Sequence, residues 1–205
     1  MADFALPLRE EDVDPDPLRQ FAAWYGDAAQ AGLREPGAVA VATSTVDGIP
    51  SMRMVLLKRY DEQGFVFYSN YDSRKGRELE ANPHAALLFY WDPLGRQVRI
   101  EGGTERTSAQ DSASYARSRP RGSQLSALAS PQSQVIGSRS ELEQRVADLT
   151  TLYAGAEVPV PEAWGGFRLL PERFEFWQHR EDRLHDRLVY TVGDDGRWRL
   201  SRLGP

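Results

Sequence analysis

The sequence predicts a mainly β, antiparallel, barrel-like domain with flanking helices, an α+β arrangement, and three observations carry that expectation. Short apolar runs with period-two character recur between residues 38 and 106, separated by turn signals such as Asp47-Gly48 and Asp92-Pro93-Leu94-Gly95. Apart from a short segment that begins at Ser73, helical spacing is confined to a stretch before them and one after them. The chain is 205 residues long with no internal repeat, enough for one domain with a sizeable core.

In order, residues 1–16 are acidic and Pro-rich and read as a flexible segment; the single domain follows over 17–205. Asp16 is a good N-cap and Pro17 a good first helical residue. Apolar residues at 18, 21, 22, 25, 29 and 33 then predict a helix over about 17–32. Five strands follow: Ala38–Ser44, Ser51–Tyr60, Phe65–Asn70, His84–Trp91 and Arg96–Arg106, with a short helix capped by Ser73 and closed before Asn82-Pro83. Ser108–Ser118 and Gly122–Ala129 read as short helices. Ser140-Glu141-Leu142-Glu143 reads as a capping box for a helix ending near Tyr153. After the Pro-rich loop at 158–161, strand pattern returns at Phe167–Leu170 and Arg173–Gln178, with a hairpin about Gly193–Gly196.

Composition removes several function classes. Lys+Arg 25 against Asp+Glu 30 gives a net charge of −5, which argues against a nucleic-acid coat. The longest apolar run, Ala85–Trp91, is far short of the roughly 20 residues of a membrane helix. No signal segment opens the chain, so a cytoplasmic protein is expected. With Cys 0 there is no thiolate chemistry, and the three histidines are not at metal-ligand spacing, so no metal is expected. Glycine-rich phosphate loops, the Gly-x-Ser-x-Gly elbow and His-Glu-x-x-His are absent.

What remains is cationic. Arg180–Arg187 is dense in ionisable groups; if it is extended, Arg183, His185 and Arg187 share one face. Such a face suits an anionic or electron-accepting ligand, but the pattern alone favours a solvated edge strand paired with Glu181, Asp182 and Asp186. Arg53 and Lys58 lie in an apolar strand, where alternation puts them on opposite faces; either a bulge intervenes or they serve different parts of a site, and both also fit a strand rim. Ser73-Arg74-Lys75 at a helix start fits a phosphate site or a solvated helix end. Tyr115, Arg119 and Ser123 recur at four-residue spacing, although Pro120 interrupts the register.

Taken together, Arg53-Met54-Val55-Leu56-Leu57-Lys58, Phe67-Tyr68-Ser69-Asn70, Ser73-Arg74-Lys75, Arg96-Gln97-Val98, Ser118-Arg119-Pro120-Arg121-Gly122-Ser123-Gln124, Trp164-Gly165-Gly166-Phe167, Glu175-Phe176-Trp177-Gln178 and Arg183-Leu184-His185-Asp186-Arg187 resemble pyridoxamine/pyridoxine 5′-phosphate oxidases. The blocks run in order from about Asp12 to Pro205. The resemblance implies an FMN-binding split β-barrel, working as a homodimer with its FMN sites at the interface. It implies that Arg53 and Lys75 hold the FMN phosphate, with Ser69, Arg74, Gln132 and Ser133 nearby. The strand Arg53, Met54, Val55, Leu56, Leu57, Lys58 and Tyr68 would line the flavin, and Gln97, Trp177 and Arg187 would contact its ring and ribityl chain. Lys58, Tyr115, Arg119 and Ser123 would bind the phosphate of a small phosphorylated pyridine substrate. Arg183 and His185 would be catalytic, over the substrate carbon C4′ that yields hydride to flavin N5, with O2 reoxidising the flavin to give H2O2.

The chain departs from the family pattern in places. An N-terminal Arg-x-x-Tyr segment is not matched, with only Phe4 near its Tyr; Ser126 and Leu128 stand where Gly and Trp are usual; His179 replaces a Gly. Two other readings stay open: a phenazine-type flavin oxidase of secondary metabolism, and a flavin-binding split-barrel module without turnover. The substrate-phosphate block at 119–124 favours the B6 phosphate oxidase.

Overall fold

The first helix shows how sequence becomes packing. In α1 (Pro17–Gln30) the Asp16 side chain accepts the Leu18 N–H at 2.9 Å, and Pro17 occupies the first turn where no N–H is needed. Its inward face carries Phe21, Trp24 and Ala28, all buried. Phe21 meets Phe65 edge-on at 4.9 Å, and Trp24 meets Phe176 at 5.2 Å. Burying aromatic rings of this size contributes about 2–3 kcal/mol each, which fixes the helix on the sheet.

The computed structural model describes residues 7–205. Its framework is one nine-stranded antiparallel sheet, curled into a half-barrel. The strands are β1 (Ala38–Ser44), β2 (Pro50–Leu56), β3 (Arg59–Asp61), β4 (Gly64–Asn70), β5 (His84–Trp91), β6 (Arg96–Arg106), β7 (Trp164–Gln178), β8 (Asp186–Val192) and β9 (Trp198–Arg202). They run in the order β2-β1-β5-β6-β7-β4-β3, with β8 and β9 extending from β7. The helices α2 (Arg74–Ala81), α3 (Ala109–Ser118), α4 (Arg121–Ala129) and α5 (Arg139–Leu152) accompany α1. The core between sheet and α1 is aromatic, with Phe65, Phe67, Phe89, Trp91, Phe174 and Phe176 essentially inaccessible.

Several sequence expectations are corrected. The strand expected over Ser51–Tyr60 is broken: β2 ends at Leu56, and β3 begins at Arg59. The Leu57 N–H goes to Gly37 O at 2.8 Å and the Lys58 N–H to Val66 O at 2.9 Å. The chain therefore transfers between the β1 side and the β4 side at these two residues, which curls the sheet. The two strands expected at Phe167–Leu170 and Arg173–Gln178 are one 15-residue strand, β7. Its register with β6 shifts between Glu101 and Gly102, opposite Pro171, where the ring's missing N–H would otherwise interrupt the ladder. One edge of β7 is shared: β4 pairs with its first half and β8 with its second.

The capping box of α5 lies two residues earlier than expected. Ser138, not Ser140, accepts the Glu141 N–H at 3.1 Å, and the Glu141 carboxylate accepts the Gly137 N–H at 3.0 Å. The Arg180–Arg187 segment is not one extended strand. Glu181–Arg183 form a 3-10 turn with Asp182 at φ 53° and Arg183 at φ 61°, and β8 begins only at Asp186. The alternation that would place Arg183, His185 and Arg187 on one face therefore applies to neither Arg183 nor His185, both of which precede the strand.

Within the segment read as flexible, residues 7–16 make specific contacts. The Leu8 N–H reaches Asp186 at 3.1 Å, Arg202 pairs with Glu10 at 2.9 Å, and the Tyr190 hydroxyl donates to Asp14 O at 2.7 Å. Phe4 lies outside the described residues.

Candidate active site

Where β2, β4 and the α3–α4 corner meet, the structure forms a cavity of about 430 Å3. Its wall carries Met54, Val55, Leu56, Lys58, Tyr68, Ser69, Lys75, Tyr115, Arg119, Ser123 and Gln132, all named from the sequence, together with Pro120 and Trp164.

The cationic end is built by α2. Ser73 caps it, accepting the Gly76 N–H at 3.2 Å. Gly76 is required there: a Cβ would stand 2.1 Å from Tyr71 O, because the first turn rests directly on the backbone after β4. That close approach buries Lys75, whose Nζ donates to Ser69 Oγ at 2.8 Å, Gln132 Oε1 at 3.2 Å and Ser73 Oγ at 3.4 Å. All three are neutral oxygens. Burial, with the Arg53 charge nearby, lowers the Lys75 pKa to about 8.

Behind Lys75 lies a polar network that sequence reading missed. Glu78, buried, accepts from Ser51 and Thr43 and pairs with Arg74 at 2.8 Å and Arg53 at 3.4 Å. Burial alone would raise its pKa; the hydrogen bonds from Ser51, Thr43 and Arg74 outweigh it and bring it to about 2. The i,i+4 spacing of Arg74 and Glu78 was the available signal. Arg53 and Arg74 thus stand beside the cavity, held by Glu78, and are not on its wall. Leu57 is in the core, and Ser133, at φ 68°, follows Gln132 without reaching the cavity surface.

The second end is built by the α3–α4 corner. α3 stops at Ser118, and Arg119 is extended, with ψ 151°, ahead of Pro120. The helical register between Tyr115, Arg119 and Ser123 is therefore interrupted, yet the reversal brings all three to the same wall. Tyr115 stacks on Tyr68 with ring centres 4.0 Å apart, and Trp164 stacks on Tyr68 at 5.4 Å. The Arg119 guanidinium lies over the Trp164 ring at 4.9 Å. Among the described residues no carboxylate pairs with Lys58, Lys75 or Arg119. Three uncompensated cations line one cavity, and such an arrangement takes anions.

The remaining predicted residues gather elsewhere. Gln97, Trp177 and Arg187 are directly opposed across β6, β7 and β8 and so form a row on one face. Arg187 pairs with the buried Glu175 at 2.8 Å. Trp177, Arg183 and His185 line an open cleft of about 630 Å3 with His179 and Arg180. The His185 ring packs on Trp177 at 4.6 Å, and its Nδ1 accepts the Arg180 N–H at 3.1 Å. This cleft sits at the end of β7 opposite Trp164, roughly 40 Å along the strand at about 3.3 Å per residue. The described residues contain no cluster of His, Asp and Glu suited to a metal, and no helix long and apolar enough to cross a membrane.

Comparison with known proteins identifies the family and the fold. The family model described as pyridoxamine 5′-phosphate oxidase matches residues 25–153, and that described as the pyridoxine 5′-phosphate oxidase C-terminal dimerisation region matches 164–205. A pyridoxine/pyridoxamine 5′-phosphate oxidase of Rubrobacter xylanophilus is 58% identical over 97% of this chain and 91% of its own length. One from Streptomyces avermitilis is 52% identical over 97% of this chain and 91% of its own. Among solved structures, PhzG from Burkholderia lata 383, in complex with tetrahydrophenazine-1-carboxylic acid, is 33% identical and superposes with a TM-score of 0.91 over 98% of both chains. A pyridoxamine 5′-phosphate oxidase-related, FMN-binding protein from Nostoc punctiforme shares the fold, with a TM-score of 0.72 over 94% of this chain and 100% of its own, at 16% identity. The chain belongs to the pyridoxamine 5′-phosphate oxidase family.

Proposed function

We propose that this protein is an FMN-dependent oxidase that converts pyridoxamine 5′-phosphate or pyridoxine 5′-phosphate to pyridoxal 5′-phosphate, acting as a homodimer. The observation that carries the reading is the cavity holding Lys58, Lys75 and Arg119 without a carboxylate partner among the described residues. Two cationic ends in one cavity suit two phosphate groups, one on the cofactor and one on the substrate.

FMN fits the Lys75 end. A buried ammonium whose partners are all neutral lacks a counter-ion. Arg53, Arg74 and Lys75 against Glu78 leave two positive charges, the balance a phosphate dianion requires. Lys75, Ser69 and Gln132 would hold the phosphate, with Arg53, Arg74 and Ser133 around it, while Met54, Val55, Leu56 and Tyr68 would line the flavin. Bound FMN would supply the redox chemistry, accepting hydride from the substrate's C4′ and being reoxidised by dioxygen to give hydrogen peroxide; the imine left from the amine substrate would then be hydrolysed by water to the aldehyde and ammonia.

Lys58, Tyr115, Arg119 and Ser123 bind the substrate phosphate at the other end. Gln97, Trp177, Arg187, Arg183 and His185 come from a second copy of the chain, since β7 holds them far from the cavity of their own copy. Arg183 orients the reacting group. The Arg180 N–H occupies His185 Nδ1, so the neutral imidazole carries its proton on Nε2 and presents a donor to the substrate.

The test is the visible spectrum of purified protein during anaerobic addition of pyridoxamine 5′-phosphate. A flavin band that bleaches and returns with air is expected. The 33% identity to PhzG favours one rival, an oxidase acting on another ring system; a flavin band that ignores the phosphorylated amine would move the reading there or to a module without turnover.

A further inference from the structure

Trp164 is given no role by the reading of the cavity above, yet it lies against both Tyr115 and Arg119 at the substrate-phosphate end. It is buried, at 8% exposure, and lies nearly parallel to Tyr68 and Tyr115, with interplanar angles of 11° and 12°. Its position is fixed from below. A Cβ on Gly165 would stand 2.0 Å from the Tyr71 hydroxyl, and one on Gly166 would stand 2.5 Å from Thr107 Oγ1 and 3.0 Å from Tyr68. The backbone therefore descends onto β4 and α3, and the indole becomes the floor of the corner.

Arg119 rests on that floor. Its backbone carbonyl is held by Gln124 Nε2 at 2.7 Å, but its guanidinium makes no hydrogen bond or ion pair with a described residue; its contact is the Trp164 face. An arginine side chain is long and rotamer-rich, so it loses conformational freedom on binding an anion. A flat ring beneath the guanidinium removes part of that freedom beforehand and leaves the N–H edge free for bidentate recognition.

We propose that Trp164 is a positioning residue for the substrate phosphate, acting through Arg119. This rests on the phosphate assignment above. W164L is expected to raise KM for pyridoxamine 5′-phosphate about tenfold, within the range of a partly desolvated cation–π contact, with kcat within about twofold and FMN content unchanged. W164F, which keeps a weaker aromatic face, is expected to raise KM only about threefold. In an R119A background neither substitution raises KM further, because its effect passes through the missing guanidinium. A KM increase of the same size with and without Arg119 would overturn the proposal, as would a fall in kcat or FMN content in both variants with KM unchanged. Should W164L fail to fold, W164F, R119A and their double variant form the same cycle. Calorimetric binding of inorganic phosphate to the FMN-loaded wild type and W164F needs no turnover. Weaker phosphate binding in W164F, in a protein that does not oxidise the substrate, would sink the oxidase reading and keep this one. Equal phosphate affinity would sink the role of Trp164.

Discussion

Lys75 illustrates how one residue sets conditions on the whole site. Its ammonium is buried among Ser69, Ser73 and Gln132, and its pKa is lowered from 10.5 to about 8. The charged form therefore destabilises the unliganded fold below about pH 8, and that penalty fades as pH rises from 8 toward 10.5. A phosphate dianion reverses the sign, because it stabilises the ammonium. Above pH 8 binding must take up a proton, so FMN affinity should fall by up to about tenfold per pH unit. Quenching of FMN fluorescence on titration with apoprotein, between pH 6.5 and 9.5, measures this. Lys75→Met should bind FMN more weakly at pH 7 and lose the alkaline slope; an unchanged slope would assign the titration to another group. Lys75 was legible in the sequence from its place after a capping serine, but its burial was not. That depends on Gly76 meeting Tyr71 O and on Gln132, 57 residues away.

At the level of elements, alternation along a strand was a good guide until a strand changed partners. Arg53 and Lys58 fall on opposite faces of an unbroken strand, and the sequence alone left that conflict open. The break at Leu57–Lys58 resolves it, turning Lys58 into the cavity while Arg53 stays on β2 beside Glu78. The Arg180–Arg187 segment failed for a related reason: two consecutive left-handed residues, Asp182 and Arg183, have no period-two signature. By contrast α1, β1, β5 and β6 were readable, since caps, turn residues and apolar runs coincide there. The placement of α2 supports a sharp prediction. Ala is the better helix former by about 1 kcal/mol, so helix propensity alone would make Gly76→Ala stabilising. Its Cβ would instead stand 2.1 Å from Tyr71 O, against backbone that is held in turn by Ala163 O. G76A should lower the melting temperature and weaken FMN binding together. A more stable protein with normal FMN affinity would show that α2 can shift freely and that its seat does not set the phosphate site.

On the scale of the molecule, β7 is the constraint. It carries Trp164 at the wall of the cavity and Trp177 in the cleft with Arg183 and His185, 13 residues later in one continuous strand. Bending at the register shift curls this strand but does not fold it back, because β6 pairs with it from Phe167 to Gln178 and β4 continues the ladder to Trp164. On the proposed reading the two groups are half-sites of a shared site, and the match of residues 164–205 to the dimerisation region supplies the means of joining them. If each complete site takes its phosphate-binding half from one copy and Arg183 with His185 from the other, two impaired variants should rescue each other. R119A impairs the first half and R183A the second. Random exchange makes half of the dimers mixed, and each mixed dimer has one site with both lesions and one with neither, so about a quarter of wild-type sites should return. Mixing the separately purified variants under conditions that exchange subunits, then assaying hydrogen peroxide formation at low substrate concentration, measures this. Recovery well above the sum of the two variants requires shared sites. Activity no greater than that sum, with exchange verified by a size-tagged copy, would mean that Arg119 and Arg183 serve one site within a single chain and that the long separation along β7 has been misjudged.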